Sequence, residues 1–171
     1  MADPSRPFDA FVAAHAQGLL RTAYLMTGDE QDAEDLVQEC LLRLAPRWGR
    51  VGGMDHPLAY ARRVLVNLAV RGSTGRARRQ AELNSVVEEL VSSAPDDPLA
   101  DRNELWAALG QLTTRQRAVL VLRYFHDLSE AQVVEMLGVT TGTVSSTTAR
   151  SLVQLRGLIG PEPSEARSNE R

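Results

Sequence analysis

Hydrophobic residues recur three and four positions apart along nearly every patterned segment, and no stretch alternates with the two-residue period of a strand. The pattern predicts a first helix from about Pro7 to Thr27, which Gly28 ends. A second helix is predicted to begin after Asp29, whose carboxylate can cap it. The fold class that follows from this periodicity is all-α.

The second predicted helix has one apolar side and one polar side. Its apolar positions share one face: Ala33, Leu36, Val37, Cys40, Leu41 and Leu44. The other face carries Asp32, Glu34, Asp35, Gln38, Glu39 and Arg43. Cys40, the single cysteine, is therefore predicted to be a core residue.

A glycine-rich loop is predicted from Gly49 to Pro57, and Pro57 suits the first turn of a third helix. That helix should turn its arginines away from the core, which it contacts through Leu58, Ala61, Leu65 and Leu68. Trp106 and Phe125 are predicted to be core residues. Trp48 and Tyr60 flank the loop, and their pattern leaves open whether they stack on bases.

A polar segment, residues 80–100, divides the chain into two unlike helical modules, residues 1–79 and 101–159. This segment is rich in serine, proline and acidic residues and contains a short candidate helix at 82–91, so we interpret it as a flexible linker. The modules are then expected to move relative to each other. Residues 160–171 are predicted to be a disordered tail.

A helix-turn-helix motif is predicted from Leu128 to Arg156. Ser129 and Gln132 have the spacing of a capping box at the start of its first helix. Gly138 tolerates the left-handed backbone that reverses the chain, and Thr140 can cap the second helix. Two helices joined by a glycine turn also occur in proteins that bind no DNA, so the motif needs support from the rest of the chain.

The second helix of this motif should be held to its module by Val144, Leu152, Leu155 and Ile159. The remaining polar side chains are short enough to approach DNA closely and are candidates for contacts to the major groove and its phosphates: Thr141, Thr143, Ser145, Ser146, Thr147 and Arg150. A further helix is predicted from Thr114 to Phe125.

Charge and composition reduce the number of function classes that fit the chain. The net charge is only −3, but acidic residues crowd 29–39 and arginines crowd 62–79, and no lysine occurs in the chain. Guanidinium groups bind phosphate or a guanine edge in bidentate fashion. One cysteine and three scattered histidines give no metal-ligand spacing, so we expect no metal, no cofactor and no enzyme. With neither a signal peptide nor an apolar run of about 20 residues, a cytoplasmic protein is expected.

The first module then resembles a specific family. Its acidic helix contains Asp35, Gln38 and Glu39 in a D-x-x-Q-E pattern, and its basic helix contains Arg63 and Asn67 in an R-x-x-x-N pattern. Both resemble region 2 of extracytoplasmic-function sigma factors. The segment LTTRQRAVLVLRYFHDLS and the helix-turn-helix after it are similar to region 4 of the same family. The resemblance covers both modules in family order.

The resemblance implies that different helices bind different partners. The acidic helix would bind the coiled coil of the largest subunit of core RNA polymerase through Asp35, Gln38 and Glu39. The basic helix and the loop before it would meet the minus-ten promoter element, with contacts from Arg62, Arg63, Asn67 and Arg71. Region 4 would bind the minus-thirty-five element, and an anti-sigma factor is an expected partner. Solvation alone is an alternative explanation for the acidic face and for Arg76, Arg78 and Arg79.

The second module departs from the family pattern. Relatives usually carry a basic residue at the positions of Ser145 and Thr147 and an acidic one at Gln132. Fewer phosphate contacts predict weaker minus-thirty-five binding with a flatter salt dependence. The arginines expected to compensate are Arg115, Arg117, Arg123 and Arg150.

Two other functions stay open at this point. The helix-turn-helix could serve a stand-alone regulator that binds a palindromic operator as a dimer, although this leaves the motifs of the first module unexplained. Alternatively, the chain could be an adaptor that binds polymerase or an inhibitor without reading DNA.

Overall fold

The computed structural model describes residues 6–87 and 100–159, and side chains within 7–72 and 104–159. Throughout these ranges the regular structure is helical, without strands, which confirms the all-α prediction. The first module contains α1 (Arg6–Thr27), α2 (Glu30–Leu44), a 3₁₀ turn (Ala45–Arg47), α3 (Trp48–Val51) and α4 (Pro57–Val87). The second contains α5 (Ala100–Gly110), α6 (Thr114–Leu120), a π-helical turn (Val121–Phe125), α7 (Glu130–Leu137) and α8 (Thr141–Leu158).

Helices α1, α2 and α4 pack together around the core of the first module. The predicted apolar face of α2 is confirmed, because Ala33, Leu36, Val37, Cys40 and Leu44 are all buried. The predicted cap of α2 is also present, with the Asp29 carboxylate accepting a hydrogen bond from the backbone N–H of Asp32 at 2.9 Å. Each large aliphatic side chain buried in this way contributes roughly 1.5–3 kcal/mol to folding.

The segment predicted as a loop from Gly49 to Pro57 is only partly a loop. It begins within the one-turn helix α3, which buries Trp48 and Val51. The Trp48 ring packs against Phe8 and Phe11, with ring centroids 5.1 and 4.6 Å apart. A single helical turn is too short to display a hydrophobic period, which explains why the sequence pattern does not reveal it.

Helix α4 is longer than the sequence pattern predicts. It continues to Val87, past residue 79 and into the segment interpreted as a linker, where it includes the first part of the candidate helix at 82–91. Residues 80–83 are glutamine, alanine, glutamate and leucine, all good helix formers. The predicted linker beyond Val87 and the predicted tail lie largely outside the described residues.

Local capping defines the helices of the second module. The predicted box at α7 is confirmed, because the Gln132 backbone N–H donates to Ser129 Oγ at 3.2 Å and the Ser129 N–H donates to Gln132 Oε1 at 2.8 Å. Gly138 adopts a left-handed φ of 65° at the turn, as predicted. Thr140 Oγ1 then caps α8 by accepting from the Thr143 N–H at 3.2 Å.

The two modules are packed against each other. Helices α1 and α4 contact α6, α4 also contacts α7, and buried residues of both modules form one continuous hydrophobic cluster. The polar linker predicts modules that move independently, and this structure differs from that expectation. The reason is that buried apolar side chains of α6, the π-helical turn and α7, including Val119, Leu122 and Val133, share one hydrophobic cluster with the first module.

Within the described ranges no helix is both long and apolar enough to cross a membrane. The same part of the chain contains no group of three or more histidine, cysteine, aspartate or glutamate side chains suited to hold a metal ion.

Candidate nucleic-acid interface

The acidic ridge of α2, which we define as Asp35, Gln38 and Glu39, is exposed along its whole length. Its contacts stay within the helix: Gln31 Nε2 donates to Asp35 Oδ1 at 3.4 Å, and Arg43 pairs with Glu39 at 2.7 Å. Exposed pairs of this kind contribute at most about 1 kcal/mol, so a partner can displace them at small cost. The ridge is free to bind another protein.

An apolar side chain that the sequence pattern did not single out lies on the same side of α2. Leu42 is 75% exposed and follows Glu39 by three positions and Gln38 by four, so it shares their face. Leu42 lies off the apolar face and carries no charge, so neither the hydrophobic period nor the acidic pattern of α2 selects it.

The candidate minus-ten residues of α4 divide into two pairs. Arg63 and Arg71 are exposed, whereas Arg62 and Asn67 are half-buried. Burial lowers the pKa of the Arg62 guanidinium. Asn67 Nδ2 donates to the Arg63 backbone carbonyl at 2.9 Å and also to the Met136 carbonyl of α7 at 3.2 Å. The prediction that the α4 arginines face away from the core agrees with the exposure of Arg63 and Arg71, whereas Arg62 is half-buried beside the second module.

The segment that joins α3 to α4 is exposed to solvent and lies next to these residues in the chain. Residues 52–56 are exposed, and the Met54 side chain is 36% exposed. Trp48 belongs to the core, at 8% exposure, so of the two aromatic residues flanking the predicted loop only the half-buried Tyr60 retains an accessible ring.

Helix α8 presents hydroxyl groups on its outer side. Thr141, Ser145 and Arg150 are exposed, and Thr143, Ser146 and Thr147 are half-buried. The inner side also carries hydroxyls: Thr148 Oγ1 donates to the Val144 carbonyl at 2.8 Å and Ser151 Oγ to the Thr147 carbonyl at 2.6 Å, and both residues are buried. These bonds satisfy the buried hydroxyls, so the polar sequence of α8 serves both faces.

The structure separates two arginines that the sequence grouped together. Arg115 is exposed, whereas Arg117 is half-buried and lines a cavity between the modules with Tyr24, Gly28 and Trp106. The Arg117 Nε atom is buried without a hydrogen-bond partner, and burial lowers the pKa of its guanidinium. Arg123 differs again, because its Nη1 donates to the Leu128 carbonyl at 2.6 Å and so supports the start of the helix-turn-helix.

Two residues that no sequence pattern singles out meet between the modules. Thr22 Oγ1 lies 3.0 Å from His126 Nε2, and the same hydroxyl donates to the Gly18 carbonyl at 3.0 Å. With the single hydroxyl hydrogen of Thr22 donated to Gly18, the His126 tautomer that carries its hydrogen on Nε2 completes the bond to Thr22. Burial, together with the nearby positive charge of Arg62, lowers the pKa of His126 to about 4, so the ring is neutral near pH 7.

The π-helical turn places its aromatic residues outward. Tyr124 is 59% exposed and Phe125 is 52% exposed, so the prediction of Phe125 as a core residue is wrong. A π-helical turn advances the side chains differently from an α-helix, which shifts the period on which that prediction depends. Trp106 is half-buried and packs edge-on against Tyr24 of α1, with ring centroids 4.8 Å apart.

Comparison with known proteins identifies the family of the chain. The chain matches the model of Sigma-70 region 2 over residues 11–81 and that of Sigma-70, region 4 over residues 102–155. It is 35% identical over 167 residues to an RNA polymerase sigma-E factor of Streptomyces avermitilis. The alignment covers 96% of this chain and 91% of that protein. The sigma-E factor of Streptomyces coelicolor is 36% identical over 167 residues, covering 96% of this chain and 92% of that one.

A third relative, the ECF RNA polymerase sigma factor SigL of Mycobacterium tuberculosis, is 37% identical over 140 residues and covers 77% of each chain. Among solved structures, the sigma factor RpoE of Bartonella quintana, determined in complex with the anti-sigma factor NepR, has the same fold. The superposition of the two chains has a TM-score of 0.62 at 22% sequence identity. It covers 88% of this chain and 95% of that one. The chain therefore belongs to the extracytoplasmic-function group of the sigma-70 family.

Proposed function

We propose that this chain is an alternative sigma factor that binds core RNA polymerase and directs it to promoters to initiate transcription. The observation that carries this proposal is similarity over nearly the whole chain, 96% of it, to proteins named RNA polymerase sigma-E factor. Both sigma-70 regions are present in order. A stand-alone operator-binding regulator has no use for region 2.

The acidic ridge, Asp35, Gln38 and Glu39, is the proposed docking surface for core polymerase. Its exposure supports this role, as does the absence of any bond from the ridge to the second module within the described residues. Carboxylates repel DNA and suit an arginine-rich protein partner. Leu42 adds an apolar contact beside the ridge, where burial against a partner strengthens binding.

The basic side of α4 is the proposed minus-ten surface, with residues 1–79 as the region 2 domain. Arg63 and Arg71 are exposed and suited to phosphates, while Arg62 and Asn67 lie deeper beside them. An amide offers both a donor and an acceptor to a base edge. The exposed residues 52–56 provide room for an unstacked base. Promoter opening is then driven by capture of the separated strand.

Helix α8 is the proposed minus-thirty-five surface, with residues 101–159 as the region 4 domain. Its first turns carry exposed hydroxyls, and its N-terminus is favourable for phosphate. Arg115 and Arg150 are exposed and supply positive charge, whereas Ser145 and Thr147 supply none. This composition supports a minus-thirty-five contact with a shallow salt dependence.

In the proposed function the protein catalyses no reaction itself and needs no cofactor. Binding energy stabilises separated strands, and the polymerase forms the bonds. Its place of action is the cytoplasm, where polymerase and chromosome are found. An anti-sigma factor that covers these surfaces is a further proposed partner.

The proposal is tested by run-off transcription with core polymerase and a library of genomic promoter fragments, with and without the protein. We expect discrete start sites that require the protein. Core binding without transcripts would favour the adaptor, and no core binding would favour the stand-alone regulator.

A substitution in α4 then tests the minus-ten assignment. Arg63→Ala should abolish promoter opening, measured by permanganate footprinting, and leave core affinity unchanged. Arg21→Ala on α1 is the matched control, because Arg21 is also exposed on a helix of the first module. Equal opening by Arg63→Ala and Arg21→Ala would refute the assignment.

A further inference from the structure

A cavity of about 370 Å³ lies between the end of α1 and helices α5 and α6. Its volume is within the range of protein sites that hold small organic molecules. The wall includes two aromatic rings, one guanidinium and one carboxylate, which belong to Tyr24, Trp106, Arg117 and Asp29. Among the described residues, no member of the acidic ridge, of α4 or of α8 lines it, so the surfaces discussed above do not account for it.

The guanidinium of Arg117 has no counter-ion within the part of the chain that the structure describes. Its Nε atom is buried without a hydrogen-bond partner. A Cβ atom placed on Gly28 would lie 3.6 Å from Arg117 Nη1, so the guanidinium reaches the turn that follows α1. Burial of a cation without a partner is unfavourable, and a bound anion would supply both the opposite charge and the missing acceptor.

Two aromatic rings form an apolar part of the same cavity. The rings of Tyr24 and Trp106 meet at an interplanar angle of 66°, with their centroids 4.8 Å apart. Tyr24 is 37% exposed and Trp106 is half-buried, so the protein does not cover either residue completely. A planar ring of a ligand can pack against such a surface in an offset-stacked or edge-to-face arrangement.

The carboxylate of Asp29 limits the charge that a ligand can carry. It accepts a hydrogen bond from the Asp32 backbone N–H at 2.9 Å as the cap of α2, which fixes its position at the cavity wall. A second negative charge on the ligand would be repelled by this carboxylate. The cavity therefore favours an anion with a single charge over a polyphosphate.

We infer that this cavity binds a small aromatic monocarboxylate, whose carboxylate pairs with Arg117 and whose ring packs against Tyr24 and Trp106. A carboxylate matches a guanidinium in a two-point contact, which gives the buried Nε atom an acceptor. Gly110 also lines the cavity, and a Cβ atom there would meet no atom within 4 Å, so this wall leaves space for the ring. The inference goes beyond the sigma-factor function and does not depend on it.

Proton–nitrogen correlation NMR of the full chain tests the site, because each of the two tryptophans gives one indole N–H signal. The probes are benzoate and indole-3-carboxylate, titrated to about 10 mM, since ligands of this size reach dissociation constants of about 0.1–1 mM. We expect the Trp106 signal to shift and saturate, while the signal of Trp48, which is buried in the core of the first module, stays in place. An unchanged Trp106 signal would overturn the inference.

Two further probes test the chemical class of the ligand. Benzamide has the ring without the charge, and inorganic phosphate has the charge without the ring. Both should bind at least about tenfold more weakly than benzoate, as expected when a charge-assisted hydrogen bond or a packed ring is lost. Equal binding of either probe would contradict a site for aromatic carboxylates.

Arg117→Gln should weaken benzoate binding at least about tenfold and leave benzamide binding unchanged. Arg115→Gln is the matched control, because Arg115 lies two positions earlier on α6 and is exposed. Since the unpaired guanidinium is unfavourable in the free protein, Arg117→Gln should resist denaturant at least as well as wild type. An equal loss of benzoate binding in both variants, or an Arg117→Gln protein that fails to fold, would show that Arg117 serves the fold and would refute the inference.

A second variant fills the cavity without changing its charge. Gly110→Leu should block both carboxylate probes, with circular dichroism to verify that the helices are intact. Gly157→Leu is the control, because each glycine lies within the last two residues of its helix and a Cβ atom at either would meet nothing within 4 Å. Undiminished binding by Gly110→Leu would place the carboxylates outside this cavity and would overturn the inference.

Discussion

At the scale of single residues, Cys40 shows how burial controls chemistry. Its thiol donates to the Ala61 carbonyl at 3.4 Å, and burial raises the pKa of Cys40 to about 12. The thiolate is the reactive form, so the native protein should react with a thiol reagent at least about a hundredfold more slowly than the unfolded protein. Absorbance at pH 7 with and without denaturant measures both rates, and equal rates would contradict the assignment of Cys40 to a rigid core.

Gly52 is required by the packing of Trp48. A Cβ atom at Gly52 would lie 3.0 Å from two atoms of the Trp48 ring and 3.1 Å from the Trp48 carbonyl oxygen, and Phe8 and Phe11 prevent the ring from moving away. Gly52→Ala should therefore cost about 1–3 kcal/mol in the free energy of unfolding. At Gly53 the nearest atom would be 3.7 Å away, an ordinary contact, so Gly53→Ala is the control. Denaturant unfolding should separate the two variants.

His126 makes stability depend on pH. Its pKa falls from 6.5 to about 4 in the folded protein because burial and the charge of Arg62 disfavour the protonated ring. The unfolded chain therefore binds a proton first as pH decreases, so His126 leaves stability unaffected above about pH 6.5 and lowers it progressively between 6.5 and 4. His126→Gln keeps an N–H donor but cannot titrate.

Denaturant unfolding at several pH values tests this assignment. The difference in stability between wild type and His126→Gln should change in favour of the variant as pH falls through that window. Parallel pH profiles would show that the ring is not held neutral between the modules.

At the scale of elements, caps made the helix-turn-helix predictable. Ser129, Gln132, Gly138 and Thr140 each act within a few residues of the chain, so their spacing alone specifies the geometry that the structure contains. Segments without such local signals were not predicted: the single turn of α3 and the π-helical turn. Helix α4 extends beyond its predicted end, where residues 80–83 are good helix formers despite the polar composition of the segment.

Ser129→Ala tests the contribution of the capping box. Loss of the side-chain acceptor should cost about 1 kcal/mol and should loosen the start of α7. Ser145→Ala on the exposed side of α8 is the control and should leave stability nearly unchanged. Denaturant unfolding gives the difference, and equal midpoints would indicate that α7 is positioned by packing alone.

At the scale of the whole molecule, the sequence predicts candidate surfaces but not how the two modules pack against each other. The residues that join the modules include Thr22 of α1 and His126, which directly follows the π-helical turn; they are far apart in sequence, and neither stands out when considered alone. Even Asn67, selected for its place in a motif, gave no indication that it would donate to a backbone carbonyl of α7. Contacts of this kind depend on how two apolar faces pack, which the period of a single helix does not encode.

The exposed acidic ridge allows the proposed docking on polymerase to be tested with the whole molecule. Reversal of two charges, Asp35→Arg with Glu39→Arg, should weaken core binding by about ten- to a hundredfold because like charges would then face each other across the interface. Glu104→Arg with Glu135→Arg is the control: both residues are exposed and lie on helices of the second module, and the net charge changes equally. Fluorescence anisotropy with labelled protein measures both affinities at two salt concentrations. The ridge assignment predicts a loss specific to the first pair that shrinks as salt increases, whereas equal losses would attribute the effect to net charge and would move the docking surface away from α2.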